Sequence, residues 1–472
     1  MKRWTRPDLP TGICSRKTGF PLGQDTSEAP LDIGVVGTGI SGLAAAWLLS
    51  SRHRVTLYDS DVRPGGHSHT VSVTHDDTDT PVDTGFIVYN QDTYPNLTAL
   101  FALLNIETQP TEMSFSVSLD RGELEYSGSG LGGLFAQRRN LVDMRFWAML
   151  RDLRRFYRTA PRDLPWLPLD MTLGDYLDRG GYGDAFRDDH LIPMGSAIWS
   201  ASGGSMADYP AAAFIRFFDN HGLLRFRDRP EWRSVSGGSR TYVEKLIAET
   251  KATMRLGEAI GDIDTDGDRV RLRDASGAVA EHDHVVIATH ADQALAMLAR
   301  PTEEERRRLC AFRYSRNETI LHSDPQAMPK RHSAWAAWNH IGTRDASDEA
   351  PTMVTYWMNR LQGLQTRQPF FVSLNPERMP DRIWHRQIYE HPIFDTAALE
   401  SQRGLWSLQG RRRLWFCGAY FGAGFHEDGL QAGLAVAEQL GGMRRPWQVA
   451  AESGRIFFPE APPDTATEEL AA

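Results

Sequence analysis

Two short aliphatic runs, separated by a glycine-rich turn and an alanine-rich stretch, dominate residues 33–58. Residues 33–36 and 55–58 have the length and composition of buried strands, and residues 40–49 predict a helix between them. Residues 414–417 form another aliphatic run, and the pattern after it predicts a helix over 428–440. This alternation of buried strands and helices predicts an α/β fold with a parallel sheet.

The pieces of this predicted sheet come from the start, the middle and the end of the sequence. In the middle, residues 268–289 alternate between polar and apolar positions and end in a buried aliphatic run. We therefore expect a discontinuous Rossmann-like domain beside an α+β substrate-binding domain. The predicted division is a flexible N-terminal arm at 1–29, a nucleotide-binding domain at 30–91, 233–299 and 409–442, a substrate-binding domain at 92–232 and 300–408, and a loosely ordered tail at 443–472.

The turn after the first predicted strand has glycines at Gly37, Gly39 and Gly42. In a strand–turn–helix unit the first glycine permits a tight turn, the second lets the backbone approach a pyrophosphate, and the third lets the helix pack on the strand. The second strand ends at Asp59, which is placed to accept hydrogen bonds from an adenosine ribose. The alternative is a glycine turn before an ordinary helix. The similar sequence GSGLGG at 128–133 has no flanking aliphatic strands and predicts a loop.

Composition argues against several classes of protein. A net charge of −9 disfavours a nucleic-acid-binding protein, and a length of 472 residues predicts two or three domains. The three cysteines, Cys14, Cys310 and Cys417, are widely spaced, which predicts neither disulfides nor a metal site and favours a reducing cytoplasm. Residues 1–29 lack the apolar core of a secretory signal, and no run of 18 apolar residues predicts a membrane span.

Residues 140–158 predict an amphipathic helix that carries five arginines. The apolar positions of this helix recur every third residue, at Leu141, Met144, Trp147, Leu150 and Leu153. Two interpretations stay open. Either the apolar side packs in the core with the arginines in solvent, or the helix contacts the inner face of a membrane and its acidic headgroups.

Three further motifs follow the glycine turn: DSDVRPGGHSHT at 59–70, VDTGFIVYN at 82–90 and GAYFGAGFHEDGLQAG at 418–433. With them the chain resembles the flavin-containing amine oxidase superfamily, and more narrowly a bacterial group described as NAD/FAD-binding flavin amine oxidase-like proteins. The resemblance extends over most of residues 31–442 and includes PMGSAIWSAS at 193–202. That bacterial group is associated with enzymes that methylate or cyclopropanate phospholipid acyl chains, and some relatives desaturate methyl-branched acyl chains.

The resemblance implies FAD as the cofactor, and we expect noncovalent binding because no cysteine follows Cys417. Asp59 would hold the adenosine ribose and Ile260 the adenine. The helix starting near Gly429 would face the flavin pyrimidine, where its N-terminus stabilises an anionic reduced flavin. The residues expected to contact FAD are Gly37, Gly39, Ile40, Ser41, Gly42, Asp59, Ser60, Arg63, Gly65, Gly66, His67, Gly85, Phe86, Ile87, Ile260, Ala288, Thr289, Gly418, Phe425, His426, Gly429 and Leu430.

Two positions depart from the amine oxidase pattern. His67 stands where the family has an arginine, and Phe425 stands where the family has a tyrosine of the aromatic cage that holds a substrate amine. Phe425 therefore weakens the case for an amine substrate, although core packing is the alternative role of its ring.

The candidate acid–base residues are histidines, because histidine transfers protons near neutral pH. His426 lies at the predicted helix start, and His221 and His391 lie in predicted loops. Beside His426, Glu427 and Asp428 are expected to cap the helix. Three tryptophans are expected either to wall an apolar substrate channel or to pack in the core: Trp199, Trp335 and Trp338.

A flavin accepts hydride from a carbon next to nitrogen, oxygen or a π bond, so several substrates satisfy the chemistry. The resemblance and Phe425 favour an FAD-dependent dehydrogenase (desaturase) of methyl-branched or unsaturated phospholipid acyl chains, with a lipid or other apolar molecule as substrate. The alternatives are a flavin amine or polyene oxidase, and a non-catalytic flavin-binding partner of a lipid-modifying enzyme.

Overall fold

A five-stranded parallel sheet lies at the centre of the computed structural model, which describes residues 29–344 and 350–459. In spatial order the strands are Thr253–Leu256, Arg54–Asp59, Asp32–Val36, His284–Ile287 and Leu414–Phe416. The sheet is parallel throughout, so the carboxyl ends of all five strands meet at one edge. Open α/β sheets bind their ligands at this edge.

Two helices cover this sheet and pack closely on each other. Almost every residue of Ile40–Leu49 and of His426–Gln439 is buried. A Cβ atom at Gly433 would lie 2.1 Å from the backbone oxygen of Ser41. A larger side chain at Gly433 would therefore push the two helices apart, and with them the two segments whose N-termini face the sheet edge.

A seven-stranded mixed sheet forms the second layer of the molecule. Its strands, in spatial order, are Ile383–Ile393, Arg313–His322, Phe371–Leu374, Met353–Trp357, Trp338–Gly342, Phe115–Leu119 and Leu124–Ser127. Its neighbouring strands are antiparallel except for the parallel pair Trp338–Gly342 and Phe115–Leu119. The smaller sheets are Thr70–His75 with Thr78–Asp83; Val88–Asn90, Trp232–Val235 and Thr108–Thr111; and Ile260–Asp266, Arg269–Asp274 and Val279–His282.

Helices surround both large sheets and connect the layers. Besides the two already given, they are Pro95–Leu103, Gly130–Leu134, Met144–Asp163, Leu173–Gly180, Asp184–Phe186, Ile192–Trp199, Gly203–Ala207, Ala211–Asn220, Arg240–Glu249, Ala291–Met297, Glu303–Leu309, Met358–Leu361 and Thr396–Leu405. Among the helices of the described residues, none is both long and apolar enough to cross a membrane. Cys310 and Cys417 are free thiols, and Cys14 lies outside the described residues.

The fold class predicted from the sequence is confirmed, and the parallel sheet does assemble from the start, middle and end of the chain. The exact domain boundaries stay a prediction. The predicted loop at 128–133 is wrong in part, because Gly130–Leu134 is a short helix. The predicted arm falls on residues 1–29, of which 1–28 lie outside the described residues.

The prediction of a loosely ordered tail from residue 443 is wrong for its first part. Arg445 is buried and its guanidinium binds Glu438 and the side-chain oxygen of Asn96. The indole of Trp447 stacks on that of Trp47 with 6.0 Å between the ring centroids. These contacts fix residues 443–459 on the core, and residues 460–472 lie outside the described residues.

The predicted amphipathic helix exists as Met144–Asp163, but its predicted apolar face is wrong in part, because only Leu150 and Leu153 of the five predicted positions pack against the core. The buried residues are Phe146, Met149, Asp152, Phe156, Tyr157 and Ala160, whereas Leu141, Met144 and Trp147 are exposed. The reason is geometric. A repeat of three falls short of the 3.6 residues of a helical turn, so positions three apart drift by about 60° per step around the axis.

Candidate active site

A cavity of about 700 Å³ opens at the carboxyl edge of the parallel sheet and extends to the second layer. Its first half is lined by the residues that follow the sheet strands: Gly37, Ser60, Ala288, Thr289 and Gly418. Its second half is lined by residues of the seven-stranded sheet and of the helices Ile192–Trp199 and Ala211–Asn220. The two layers thus enclose one elongated site.

The glycine turn has the geometry of a pyrophosphate cradle. Gly37 has a φ of +106°, and a Cβ there would lie 2.7 Å from the carbonyl oxygen of Ala288. A Cβ at Gly42 would lie 1.9 Å from the carbonyl oxygen of Gly37, so the helix starts tightly against the strand. Gly39 faces open space, which leaves its backbone free to approach a ligand.

Asp59 lies at the end of its strand with its carboxylate held in place. One carboxylate oxygen accepts hydrogen bonds from the backbone N–H of Thr38 at 2.7 Å and from the Thr38 hydroxyl at 2.5 Å. The other oxygen accepts from the backbone N–H of Asp61 at 2.9 Å. Asp59 also lines the cavity.

The loop with Gly65 and Gly66 is stiffened from behind by Arg63. The guanidinium donates to the carbonyl oxygens of Pro64, Gly66 and Ser68 at 3.3, 2.9 and 3.2 Å. Gly66 packs over the glycine turn, since a Cβ there would lie 3.2 Å from the Cα of Gly39. Arg63 supports the cradle without lining the cavity.

Most residues that the sequence proposed for the cofactor line this cavity. They are Gly37, Gly39, Ile40, Ser41, Asp59, Ser60, Gly66, His67, Gly85, Phe86, Ile87, Ile260, Ala288, Thr289, Gly418, Phe425 and His426. The proposed residues outside the lining are Gly42, Arg63, Gly65, Gly429 and Leu430. Gly42 and Gly429 act through close packing, because a Cβ at Gly429 would lie 2.8 Å from the Ser41 hydroxyl oxygen.

The helix His426–Gln439 points its N-terminus at the cavity. Asp428 caps it by accepting the backbone N–H of Phe425 at 2.8 Å. Glu427 is fully buried and accepts the backbone N–H groups of Asn96 and Leu97, at the start of the helix Pro95–Leu103. Both acids therefore cap helices, Asp428 its own and Glu427 a neighbouring one.

Phe425 does not form an open cage with another ring. It stacks on Phe217 with 4.7 Å between the centroids and 22° between the planes, and Trp199 and His221 lie 6.3 and 6.1 Å away. Aromatic rings at stacking distance leave no room for a ligand between them. This face of Phe425 is therefore packed, and a substrate meets only the part of the ring that lines the cavity.

Three imidazoles gather on one wall of the cavity. The His67 ring lies 5.7 Å from His391, 6.0 Å from His290 and 5.1 Å from the phenol ring of Tyr389. Burial, reinforced by the neighbouring imidazoles, lowers the pKa of His67 and His290 to about 4 and that of His391 to about 3. All three are neutral at pH 7.

His391 lies on the strand Ile383–Ile393 and not in the predicted loop. The side-chain amide nitrogen of Asn317 lies 3.0 Å from Nδ1 of His391 and also donates to the carbonyl of Ser315. Because an amide nitrogen can only donate, Nδ1 is the acceptor. The Nε2 of the neutral ring therefore carries the proton. The sequence analysis did not identify His290, Asn317 or Tyr389, which reach this wall from separate segments.

His426 occupies the other side of the cradle. Its ring stacks on Phe86 with 3.8 Å between the centroids, and its Nε2 lies 2.6 Å from the Tyr242 hydroxyl and 3.0 Å from the Ser68 hydroxyl. Burial lowers the pKa of His426 to about 3. Its nitrogen is thus engaged in a polar network, which suits a positioning role at the ring end of the cradle.

His221 caps the end of the helix Ala211–Asn220 and also lines the cavity. Its Nδ1 donates to the carbonyl of Phe217 at 2.9 Å, so the neutral ring keeps its lone pair on Nε2. Within the described residues Nε2 has no hydrogen-bond partner. Burial lowers the pKa of His221 to about 3, and the ring is an uncharged acceptor among aromatic side chains.

The cavity lining carries few charged side chains. The described lining residues include the carboxylates Asp59, Glu258 and Glu390 but no lysine or arginine. The backbone N–H of Glu258 donates to the carbonyl oxygen of Asp59 at 2.9 Å. A carboxylate oxygen of Glu390 lies 3.7 Å from Nδ1 of His290. Most of the other lining residues are apolar or aromatic: Ile87, Val88, Met113, Phe115, Met194, Ile198, Trp199, Phe217, Leu223, Trp232, Trp338, Tyr356, Leu374 and Phe425. Ser114, Ser200 and Thr319 add hydroxyl groups to this lining.

The three tryptophans named from the sequence do not all line the cavity. Trp199 and Trp338 line the chamber, but Trp335 does not, because it lies against Trp357 beside a separate pocket. In the described part of the chain, no group of three or more histidine, cysteine or acidic side chains could hold a metal ion.

Known proteins match this arrangement. The family of flavin-containing amine oxidoreductases matches residues 40–322, more than half of the chain. The chain belongs to this family. Membership implies a flavin cofactor, and the cradle, the carboxylate of Asp59 and the helix N-terminus at His426 fit such a ligand. None of the curated proteins matches the sequence.

Several solved structures share the fold of this flavoprotein at low sequence identity. A CLA-producing fatty acid isomerase from P. acnes is 13% identical with a TM-score of 0.63, over 88% of this chain and 99% of that chain. A cyclohexylamine oxidase from Brevibacterium oxydans is 15% identical with a TM-score of 0.60, over 87% and 99% of the two chains. A putative protoporphyrinogen oxidase from Exiguobacterium is 15% identical with a TM-score of 0.59, over 86% and 98%.

Proposed function

We propose that this flavoprotein is an FAD-dependent dehydrogenase that desaturates methyl-branched or unsaturated acyl chains of phospholipids. The observation that carries the proposal is the wall of the cavity around Phe425, where the described lining consists of apolar and aromatic side chains such as Ile198, Trp199 and Phe217. A protonated amine would find no carboxylate among these side chains, so binding against them costs desolvation free energy. An acyl chain loses nothing there and gains hydrophobic burial.

The residues present fit noncovalently bound FAD. The cradle at Gly37 and Gly39 would hold the pyrophosphate, Asp59 the ribose and Ile260 the adenine, while Gly85, Phe86 and His426 would adjoin the ring system. When bound, FAD supplies the two-electron acceptor of the reaction. Cys417 is fully buried and does not line the cavity, which supports noncovalent attachment.

The aromatic side chains exclude water and orient the chain. Trp199, Phe217 and Phe425 form a rigid stack, and Trp338 and Tyr356 lie on the opposite, sheet-bearing layer. An acyl chain between these walls would present a C–H bond next to its double bond to the ring end of the cradle. Desaturation removes a hydride from one carbon and a proton from its neighbour.

His221 is the side chain best placed to receive that proton. Its Nε2 carries a free lone pair, and the ring belongs to the apolar chamber itself, whereas His391 and His426 use ring nitrogens in hydrogen bonds. Burial lowers the pKa of His221, so at neutral pH the ring is uncharged and its Nε2 lone pair is available as an acceptor. We therefore propose His221 as the base and His391 and His426 as positioning residues.

The fatty acid isomerase with the same fold supports an acyl-chain substrate, and the amine oxidases with that fold keep the alternative open. The deciding experiment mixes FAD-loaded protein with substrate in the absence of oxygen and follows flavin bleaching. Methyl-branched phospholipids should bleach the flavin and lose two hydrogens by mass spectrometry. Rapid bleaching by amines or polyenes, with none by these lipids, would replace the proposal with an amine or polyene oxidase.

A third result has its own meaning. Bound FAD that no lipid, amine or polyene reduces would indicate a non-catalytic flavin-binding partner of a lipid-modifying enzyme. Lipid profiling of a strain without the gene gives an independent readout, since the desaturase predicts acyl chains heavier by two hydrogens in that strain.

A further inference from the structure

The outward side of the helix Met144–Asp163 carries a single stripe of large and basic residues. Six exposed positions follow one another at spacings of three or four: Met144, Trp147, Arg151, Arg154, Arg158 and Arg162. Such alternating spacings stay on one side of a helix, unlike a strict repeat of three. The stripe lies opposite the buried side formed by Phe146, Met149 and Phe156.

We call the four arginines of this stripe, Arg151, Arg154, Arg158 and Arg162, the arginine face. Few acidic side chains contact them. Within residues 29–344 and 350–459, Arg154, Arg158 and Arg162 form no ion pair, and Arg151 contacts only its neighbour Asp152, at 3.3 Å. Residues 138–162 contain eight arginines and two aspartates in a chain of net charge −9. Arg145 pairs with Asp189 and Arg155 with Asp152, so the unpaired positive charge of the helix lies on its outward side.

Large apolar side chains surround the N-terminal end of the arginine face. Val142 and Met144 are each 82% exposed and Leu131 is 76% exposed, and Leu141 and Trp147 are also exposed. The Trp147 ring lies 6.0 Å from Phe135, and its N–H donates to the carbonyl of Leu141 at 3.0 Å. Val142 and Met144 follow Leu141 in sequence, and Leu131 lies one helical turn before Phe135, whose N–H donates to its carbonyl. We call these five exposed residues the apolar rim.

A second segment, distant in sequence, reaches the same helix. The exposed ring of Phe226 packs 5.0 Å from Tyr157, and Arg225, Arg227 and Arg229 surround it in the segment RFRDR. Two residues before this segment Leu223 lines the chamber, and three residues after it Trp232 does so. The basic segment thus connects the helix surface directly to the wall of the chamber.

We propose that the arginine face, the apolar rim and the segment 225–229 form a docking surface for an anionic phospholipid bilayer. This inference rests on the proposed acyl-chain substrate and adds the partner from which the chamber takes it. Arginines neutralise lipid phosphates, while tryptophan, methionine and valine insert at the headgroup boundary. Docking there brings the chamber wall at Leu223 and Trp232 to the membrane surface.

A bilayer fits this surface better than a protein partner. Unpaired arginines in a row with exposed aliphatic and indole side chains match the two layers of a membrane interface, charged outside and apolar beneath. The matched chemistry comes from two separate segments that meet only in the fold.

Vesicle binding tests the surface without any turnover. Flavin-loaded full-length protein is sedimented with vesicles of phosphatidylcholine alone or of phosphatidylcholine mixed with phosphatidylglycerol. We expect binding to the mixed vesicles, weakened by salt because screening reduces attraction to the charged surface. The double variant Arg154→Gln, Arg158→Gln should bind about 30-fold more weakly. The matched control Arg52→Gln, Arg403→Gln also removes two exposed arginines and should bind like the wild type.

The apolar rim has its own pair of variants. Val142→Ser with Met144→Ser should weaken binding about tenfold through lost burial of apolar surface, whereas the exposed control Leu103→Ser with Met379→Ser should not. Absence of wild-type binding to the mixed vesicles would overturn the docking surface. Equal binding by variants and controls would do so too. Self-association that is lost in the variants, without vesicle binding, would assign the surface to a second copy of the chain instead.

The two proposals fail separately. If the docking surface is wrong but the desaturase is right, substrate dispersed in neutral detergent micelles still bleaches the flavin while vesicles of the same lipid do not bind. If the desaturase is wrong, anionic vesicles still bind through the arginine face, and no acyl chain reduces the flavin.

Discussion

Two residues of this member of the family depart from the amine oxidase pattern. Phe425 replaces the expected tyrosine, and the structure adds that one face of its ring is already covered by Phe217 at 4.7 Å. His67 replaces the expected arginine and, instead of a permanent charge, contributes a buried neutral imidazole. Both changes remove polarity from the ring end of the site.

Asp59 is predicted to contribute to FAD affinity through its carboxylate. The variant Asp59→Ala should bind FAD roughly 10- to 100-fold more weakly, since a hydrogen bond to a charged group contributes about 1.5–3 kcal/mol. Fluorescence titration of the apoprotein with FAD measures this. The neighbouring Asp61→Asn, whose carboxylate does not line the cavity, serves as control and should bind normally. Equal affinities of both variants would argue against the ribose contact.

His221→Phe tests the proposed base. Because the phenyl ring accepts no proton, anaerobic flavin reduction by the lipid substrate should slow by a factor of about 10² or more, with little change in lipid affinity. The control is His190→Phe. His190 is also buried with one bonded and one unpaired nitrogen, but it lies outside the cavity lining. Equal slowing in both variants would reduce His221 to a packing residue.

Among the helices and strands, those determined by local sequence could be predicted, whereas features that depend on distant segments could not. The strand–turn–helix unit from Asp32 to Asp59 could be predicted because glycine sterics and a buried aliphatic run act over a few neighbouring residues. The helix Met144–Asp163 was predicted, but its buried side was not. Phe146 and Phe156 are buried because of the segments that pack against them, and the periodicity of the helix does not reveal those segments. The same is true of Glu427, which caps a helix more than 300 positions earlier in the chain.

Glu427 is predicted to stabilise the contact between the helices Pro95–Leu103 and His426–Gln439. Glu427→Gln keeps the shape but replaces one acceptor oxygen by a donor that faces the N–H groups of Asn96 and Leu97. Unpaired buried N–H groups should lower the free energy of unfolding by about 1–3 kcal/mol. Denaturant titration measures the loss, and the exposed Glu249→Gln should show no such loss.

For the whole molecule, the buried imidazoles that line one cavity, His221 among them, link protonation to stability. His67, His290, His391 and His426 have pKa values lowered by burial to about 4, 4, 3 and 3, from an ordinary value of 6.5. Between pH 6.5 and 4 the unfolded chain therefore binds protons that the folded protein does not. Stability falls as the pH falls through this window.

The pH profile gives a quantitative prediction. Each such histidine adds about 1.4 kcal/mol per pH unit to the slope of unfolding free energy well inside the window. His391→Gln, which keeps an acceptor for Asn317, should reduce the slope between pH 4 and 6 by about one proton. Denaturant titrations at a series of pH values provide the slopes. An unchanged slope in His391→Gln would mean that this ring is protonated in the folded state.

The sequence by itself determined the parallel α/β unit, the glycine turn, the position of Asp59 at the end of its strand and membership of the family. These features depend on glycine conformation, strand length and motif spacing, which act over short stretches of chain. Only the tertiary structure decided that His67, His290 and His391 share one wall, that Phe217 covers Phe425, and that Met144 and Trp147 face outward beside unpaired arginines. Those outcomes depend on packing between segments far apart in the chain, where each side chain competes for a limited interior and the hydrophobic pattern of one segment does not reveal its partners.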